Sequence, residues 1–178
     1  MRALATGDGV RRFFDALGHE SKGPGRVYVT GGATAVLHGW RETTADIDIK
    51  MDPEPAGAFS VIRVLKDRLD LNVELASPDD FIPPLPGWQD RSIFIGRFGS
   101  VDFYHYDPYA QTLAKIERSH ARDLSDARAM VATGWVDLER LVEHFDRIAD
   151  ALERYPSVDA DVFREKLMRF VASERTPS

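Results

Sequence analysis

Apolar and polar residues alternate with different periods along the chain, and these periods predict the order of its elements. Residues 10–17 repeat apolar side chains at helical spacing, which predicts an N-terminal helix that ends at Gly18. Residues 26–30 are rich in β-branched and aromatic types, as is typical of a strand. Residues 45–50 alternate strictly, with Asp46, Asp48 and Lys50 on one side and Ile47 and Ile49 on the other, which predicts a second strand with one apolar face.

The same patterns predict the rest of the fold. Gly31-Gly32 ends the first strand, and a short helix over 33–38 stops at Gly39. Four prolines make 77–90 an irregular loop. Further helices are predicted over 56–69, 108–133 (in one or two pieces), 136–155 and 159–172, and further strands over 72–75, 92–98 and 100–106.

This order of elements predicts an α+β fold, with a mixed β-sheet flanked by helices and with C-terminal helices. We expect one domain over 1–133 and a helical extension over 134–178 that packs on the same domain. The length of 178 residues suits such an arrangement.

Composition and charge exclude several classes of protein. With 43% hydrophobic and 29% charged residues the chain is typical of a globular protein, and no apolar run approaches the roughly 20 residues that span a bilayer. Residues 1–10 lack the apolar core of a signal peptide, so we expect a cytoplasmic protein without membrane contact. The absence of cysteine excludes disulfides, thiolate metal sites and cysteine nucleophiles. Because the net charge is −6, any nucleic-acid contact must be local.

The candidate chemistry lies in Gly31-Gly32 and in the pair Asp46 and Asp48. Two glycines between a strand and a helix let the backbone approach a phosphate closely. The two carboxylates follow at i and i+2 on a strand, which places both on one face. They repel each other unless a cation lies between them, and Mg²⁺ prefers carboxylate oxygens and substrate phosphates. This combination predicts metal-assisted phosphoryl or nucleotidyl transfer.

Residues 29–49 resemble the signature of the DNA polymerase beta-like nucleotidyltransferase superfamily, which is Gly-Gly, a spacer and Asp-x-Asp. Arg41 and Thr44 precede the carboxylates, as in the small bacterial AbiEii/MenT-like nucleotidyltransferase-type proteins. A second block over 115–126 is similar to a helical block of that subgroup. The resemblance covers roughly residues 27–130.

The resemblance implies a role for each matching residue. Asp46 and Asp48 would bind Mg²⁺, Lys115 would contact a phosphate or the nucleotide, and Asp123 would position or deprotonate the acceptor. Nucleotide-binding roles are implied for Gly31, Gly32, Thr34, Arg41, Thr44 and Arg118, with Arg122 and Asp126 as second choices. The alternative for 115–126 is a salt-bridged, solvated helix surface.

Polymerase-type members of the superfamily carry a third carboxylate on a later strand. Asp102 is the candidate for this metal ligand, because it begins a strand after the proline-rich loop, and Glu74 is its rival. Either could instead be an ordinary strand-edge residue. If neither enters the site, a one-metal or lysine-assisted reaction remains.

The leading functional hypothesis is a Mg²⁺-dependent nucleotidyltransferase. It would move a nucleotidyl group from a nucleoside triphosphate to an RNA such as tRNA or to a protein, as a component of a toxin–antitoxin pair with a cognate antitoxin. One alternative is a non-catalytic, nucleotide-binding or partner-binding member of such a pair. Another is a small-molecule, antibiotic-type nucleotidyltransferase, whose substrate pocket would be covered by the prolines near 81–88.

Overall fold

The computed structural model describes residues 1–176 and confirms an α+β fold in which helices flank a five-stranded mixed sheet. None of the helices in this described part combines the length and apolar character that a bilayer crossing requires. The elements follow one another as α1 (Gly7–Glu20), β1 (Gly25–Thr30), α2 (Gly31–Leu37), β2 (Asp46–Met51), α3 (Ala58–Arg68), β3 (Asn72–Leu75), α4 (Trp88–Arg91), β4 (Ile93–Phe98), β5 (Val101–His105), α5 (Pro108–Arg118), α6 (Ala121–Ala132), α7 (Leu138–Ile148) and α8 (Ala160–Arg175).

The chain forms two compact units. The first contains Met1–Ser77 and Ser92–Tyr106, and the second contains Pro78–Arg91 and the described residues from Asp107 onward. This division differs from the predicted one at residue 133. The reason is that α5 contacts α6, α7 and α8, so helices on both sides of residue 133 belong to one unit.

The first unit is built on a sheet with the strand order β3-β2-β1-β5-β4. β1 is antiparallel to β2 and parallel to β5, while β2 is parallel to β3 and β4 is antiparallel to β5. Strict alternation along β2 buries Ile47 and Ile49 and leaves its polar side chains partly exposed, as the sequence predicts. The buried face joins the apolar sides of α1 and α3 in one core.

The predicted end of the first helix at Gly18 is wrong, because α1 continues to Glu20. Gly18 is fully buried, and a methyl group in place of its hydrogen would lie 2.7 Å from the carbonyl carbon of Phe98. This glycine therefore allows α1 to approach the end of β4 closely, and does not mark a helix terminus.

Other predicted bounds differ by smaller amounts. α2 begins at Gly31 itself, and the predicted helix over 136–155 is divided into α7 and a 3₁₀ segment over Ala149–Arg154. The proline-rich region, predicted to be irregular, contains a 3₁₀ turn at Pro78–Asp80 and the single turn of α4. The helix predicted over 108–133 is in two pieces, α5 and α6.

The second unit is organised around α5, in which every residue from Pro108 to Ile116 is buried. A helix that is buried all round normally lies at the centre of a helical core. Its N-cap is Asp107, whose carboxylate accepts from the backbone N–H of Tyr109 and pairs with Arg91 at 2.7 Å. Burial raises the pKa of Asp107, and the hydrogen bonds and charge of Arg91 oppose this rise.

Candidate functional site

The Gly-Gly turn lies against the carboxylate of Asp48. β1 and β2 pair so that Thr30 is opposite Asp48, and the next residue, Gly31, has a φ of 64°. A Cβ on Gly31 would lie 2.8 Å from Oδ2 of Asp48. Only glycine combines this left-handed conformation with so close an approach. The structure therefore brings the predicted phosphate-binding backbone and one predicted metal ligand together.

The loop before β2 lies against the second glycine. A Cβ on Gly32 would overlap Oγ1 of Thr44 and would lie 3.4 Å from Nη1 of Arg41. Thr44 is held in place from two sides, because its hydroxyl donates to the carbonyl of Asp46 at 3.2 Å and its backbone pairs with Ala5. Gly32, Arg41 and Thr44, all predicted to bind nucleotide, are therefore neighbours at the Asp-x-Asp strand.

Parallel pairing of β2 with β3 extends the polar face of the sheet. Asp46 is opposite Asn72, and Asp48 is opposite Glu74, so all four side chains belong to the same face. The amide Nδ2 of Asn72 donates to Oδ1 of Asp46 at 2.6 Å and to Oε1 of Glu74 at 3.1 Å. The face therefore carries three carboxylates and one amide in two adjacent strands.

This donor set is chemically suited to a hard divalent cation. Asp46 and Asp48 are partly exposed, and both offer carboxylate oxygens. Between residues 1 and 176 there is no group of three or more His, Asp or Glu side chains that could by itself hold a metal ion. Mg²⁺ is commonly bound by one or two carboxylates together with substrate phosphates and water, which is what a carboxylate pair beside a Gly-Gly turn can provide.

Asp102 lies away from this group. β5 is parallel to β1, and Asp102 is opposite Arg26, four residues before Thr30 and thus about 13 Å from it along the sheet. Its carboxylate accepts two hydrogen bonds from Arg97, at 2.6 and 2.9 Å, which hold its pKa below the usual range. Of the two predicted third carboxylates, the structure brings Glu74 and not Asp102 next to Asp48.

Thr34 belongs to a hydrogen-bonded chain on the buried side of the sheet. Its hydroxyl donates to the carbonyl of Val29 at 3.3 Å and lies 3.1 Å from Nδ1 of His105, whose Nε2 lies 3.1 Å from Nε2 of His38. Burial, followed by the charges of His38 and Arg11, lowers the pKa of His105 to about 3. His105 is therefore neutral at pH 7, and the Thr34 hydroxyl is directed into the protein interior.

The predicted residues of the second block form a cluster within the second unit. Nζ of Lys115 lies 2.7 Å from Oδ2 of Asp126 and 3.4 Å from Oδ1 of Asp123, and all three side chains are buried. Arg118 donates three hydrogen bonds to Asp123. The block is thus a salt-bridged network, as in the alternative reading, but its centre is buried and not solvated. Its roles in nucleotide binding and acceptor activation stay predictions.

Sequence reasoning missed Asn72 and His105, although each carried a signal. Residues 72–74 alternate polar, apolar and polar as β2 does, which marks Asn72 and Glu74 as partners on one face. His105 follows Val101 and Phe103 on the buried side of β5, where a histidine needs hydrogen-bond partners. Both signals become interpretable only when the neighbouring strands are known.

Comparison with known proteins identifies the family of the chain. A family model described as a nucleotidyltransferase of unknown function (DUF6036) matches residues 11–172, which is most of the chain. No curated protein and no solved structure matches the sequence significantly. The matched range extends over most of both units, and it contains Gly31, Gly32, Asp46, Asp48 and Glu74. The chain therefore belongs to this family of nucleotidyltransferases of unknown function.

Proposed function

We propose that the protein is a Mg²⁺-dependent nucleotidyltransferase that transfers a nucleotidyl group from a nucleoside triphosphate to a hydroxyl group of an RNA or protein acceptor. The observation that carries this proposal is the position of the Asp48 carboxylate against the backbone of Gly31. A metal-binding side chain and a backbone free of side chains meet there, which suits the binding of a metal-bound triphosphate.

Different residues of the first unit would bind the metal ion and the phosphates of the substrate. Asp46 and Asp48 would hold the metal ion, with Glu74 beside them. The backbone of Gly31-Gly32 would bind the phosphates. Arg41, whose guanidinium lies near Gly32, would add a positive charge with planar donors for phosphate oxygens. When bound, Mg²⁺ supplies neutralisation of the triphosphate charge and alignment of the reacting oxygens.

The transfer itself exchanges one phosphorus–oxygen bond for another. The acceptor oxygen bonds to the α-phosphorus while the bond from that phosphorus to the β-bridging oxygen breaks, pyrophosphate leaves, and the hydroxyl proton passes to solvent. Positioning and charge stabilisation account for most catalysis in such reactions. The protein would therefore contribute mainly by holding the triphosphate in place.

The class of acceptor rests on the resemblance to the AbiEii/MenT-like proteins. That resemblance favours RNA, such as tRNA, or protein as the acceptor, and it supports the proposal that the chain acts in a toxin–antitoxin pair with a cognate antitoxin. The net charge of −6 favours a short nucleic-acid contact over an extended one.

A transfer assay tests the proposal. Purified protein is incubated with Mg²⁺, one α-labelled nucleoside triphosphate at a time, and either total RNA or lysate protein, beside the variants Asp46→Ala and Asp48→Ala. We expect label in RNA or protein with the wild type and a loss of at least about 100-fold in both variants, because each removes a metal ligand.

Other outcomes would redirect the proposal. Transfer only to a small amine or alcohol would favour an antibiotic-type enzyme. Nucleotide binding without transfer to any acceptor would favour a non-catalytic member of a toxin–antitoxin pair. Equal transfer by the wild type and both variants would overturn the assigned site.

A further inference from the structure

We propose that Asn72 is a positioning residue that holds the carboxylates of Asp46 and Glu74 in a geometry ready for metal binding. This inference rests on the proposed function of the same site. Asn72 does not itself need to touch metal or nucleotide. It acts through the two acidic side chains that flank it on the polar face of the sheet.

The chemistry of the contacts fixes which end of the amide faces the carboxylates. Asp46 and Glu74 are acceptors when ionised, so the Asn72 nitrogen, which has two N–H groups, must point towards them. One N–H goes to Oδ1 of Asp46 at 2.6 Å, and the other goes to Oε1 of Glu74 at 3.1 Å. A single neutral side chain thereby serves two negative charges at once.

Strand pairing fixes the position of Asn72 between Asp46 and Glu74. Asn72 and Glu74 are two residues apart on β3, and the parallel register places Asn72 directly opposite Asp46. The amide therefore links a residue on its own strand to one on β2. Without its donors, the carboxylates of Asp46 and Glu74, which are diagonal neighbours on the two strands, would lose the group that links them.

The consequence for the metal site concerns the orientation of Asp46. Because Oδ1 accepts a hydrogen bond from Asn72, the carboxylate of Asp46 is held in one orientation, and the position of Oδ2 is set with it. Groups that hydrogen-bond to a metal-ligating side chain commonly change metal affinity by about 10- to 100-fold when removed. Asn72 should therefore increase the affinity of the site for a divalent cation.

The experiment measures binding of Mn²⁺ by electron paramagnetic resonance, first alone and then with an α,β-methylene nucleoside triphosphate. The test variants are Asn72→Leu, which keeps the size of the side chain, and Asn72→Ala, which does not; both remove the donors. Leu75→Ala is the matched control, because Leu75 is exposed on the same short strand but on its other face. Asp46→Asn reports the loss of a ligand, and urea unfolding with chelator reports the stability of each protein.

We expect both Asn72 variants to bind Mn²⁺ about 10-fold more weakly than the wild type, while Leu75→Ala binds normally. Wild-type affinity in Asn72→Leu and Asn72→Ala, with binding lost in Asp46→Asn, would overturn the positioning role and leave the proposed function standing. Equal weakening in Leu75→Ala would also overturn it, because the effect would then come from a disturbed strand. Absence of Mn²⁺ binding in the wild type, both alone and with the nucleoside triphosphate analogue, would overturn the metal site and, with it, both proposals.

Discussion

At the scale of single residues, the proposed metal–nucleotide site depends on close approaches between the backbone and polar side chains. Gly31 adopts a left-handed conformation next to Asp48, and a Cβ there would lie 2.8 Å from the carboxylate. Gly39 has a similar φ of 72°, but a Cβ on it would meet nothing within 4 Å. The two glycines therefore separate the effect of backbone strain from the effect of displacing Asp48.

This pair gives a matched prediction. Alanine at Gly31 or at Gly39 should lower the free energy of unfolding by about 1–2 kcal/mol, because a left-handed non-glycine residue is strained by that amount. Only Gly31→Ala should also weaken Mg²⁺-dependent nucleotide binding, since its methyl group displaces Asp48. Urea denaturation and equilibrium dialysis measure the two quantities. Equal nucleotide affinity in both variants would contradict the assigned role of Gly31.

A second residue-scale prediction concerns pH. The pKa of His105 is about 3 in the folded protein and near 6.5 in the unfolded chain. Between pH 3 and pH 6.5, His105 is therefore protonated in the unfolded chain but neutral in the folded protein. The contribution of His105 to stability is thus complete above about pH 6.5 and declines as the pH falls towards 3. His105→Asn keeps a donor for Thr34 and cannot titrate in this range.

We expect the wild type to be more stable than His105→Asn at pH 7, and the difference to shrink by about 1 kcal/mol per pH unit below pH 6.5. Urea unfolding of both proteins at pH 7.5, 6 and 5 measures it, and the subtraction cancels titrations that they share. A difference that does not change with pH would show that His105 is not held neutral by the fold.

At the scale of elements, close packing explains a glycine that resembles a helix terminator. Gly18 lies inside α1, and a methyl group on it would collide with the backbone of Phe98. Gly9 is in the same helix, but its nearest neighbour would be Oγ1 of Thr6 at 3.5 Å, an ordinary contact. The same substitution should therefore have opposite effects at the two positions.

We predict that Gly18→Ala destabilises the protein by about 1–3 kcal/mol. The new methyl group would meet backbone atoms of Phe98, which cannot move aside as the end of a flexible side chain can. Gly9→Ala should stabilise it by about 0.5–1 kcal/mol through helix propensity. Thermal and urea unfolding measure both changes. A neutral or stabilising Gly18→Ala would mean that α1 and β4 are not so closely packed.

The pair of helices α5 and α6 provides a prediction about buried charge. Substitution of Lys115 with Met removes the cation that Asp123 and Asp126 share inside the buried network, while Asp123 keeps its pair with Arg118. Breaking such a pair commonly costs about 3–5 kcal/mol, so we expect this loss in the free energy of unfolding. The triple variant Lys115→Met, Asp123→Asn, Asp126→Asn should recover most of it. A single variant as stable as the wild type would show that the network contributes little.

At the scale of the whole molecule, local pattern predicted the fold class and the strand with Asp46 and Asp48. It did so because alternation and glycine breaks are properties of neighbouring residues. It could not decide between Asp102 and Glu74, since that choice depends on which strands pair. The parallel register of β3 on β2 places Glu74 beside Asp48, whereas β5 places Asp102 beside Arg26.

The division of the chain into units was beyond local pattern for the same reason. The sequence indicates where helices begin and end, but the packing of α5 with α7 and α8 depends on contacts between distant segments. The cluster around Lys115 has the residue spacing expected from the resemblance, yet its burial was not readable from that spacing. Burial matters for the interpretation of the cluster, because a buried ion pair affects the stability of the fold whether or not it binds a nucleotide.

The central claim is that the Gly-Gly turn and the Asp-x-Asp strand form one metal–nucleotide site. The most direct test is Mg²⁺-dependent binding of a fluorescent, α,β-methylene nucleoside triphosphate to the wild type, Asp48→Asn and Asp102→Asn, because this test needs no knowledge of the acceptor. We predict binding by the wild type and by Asp102→Asn, and affinity at least about 10-fold lower in Asp48→Asn. Equal binding by Asp48→Asn and the wild type, or loss of binding in Asp102→Asn alone, would contradict the account.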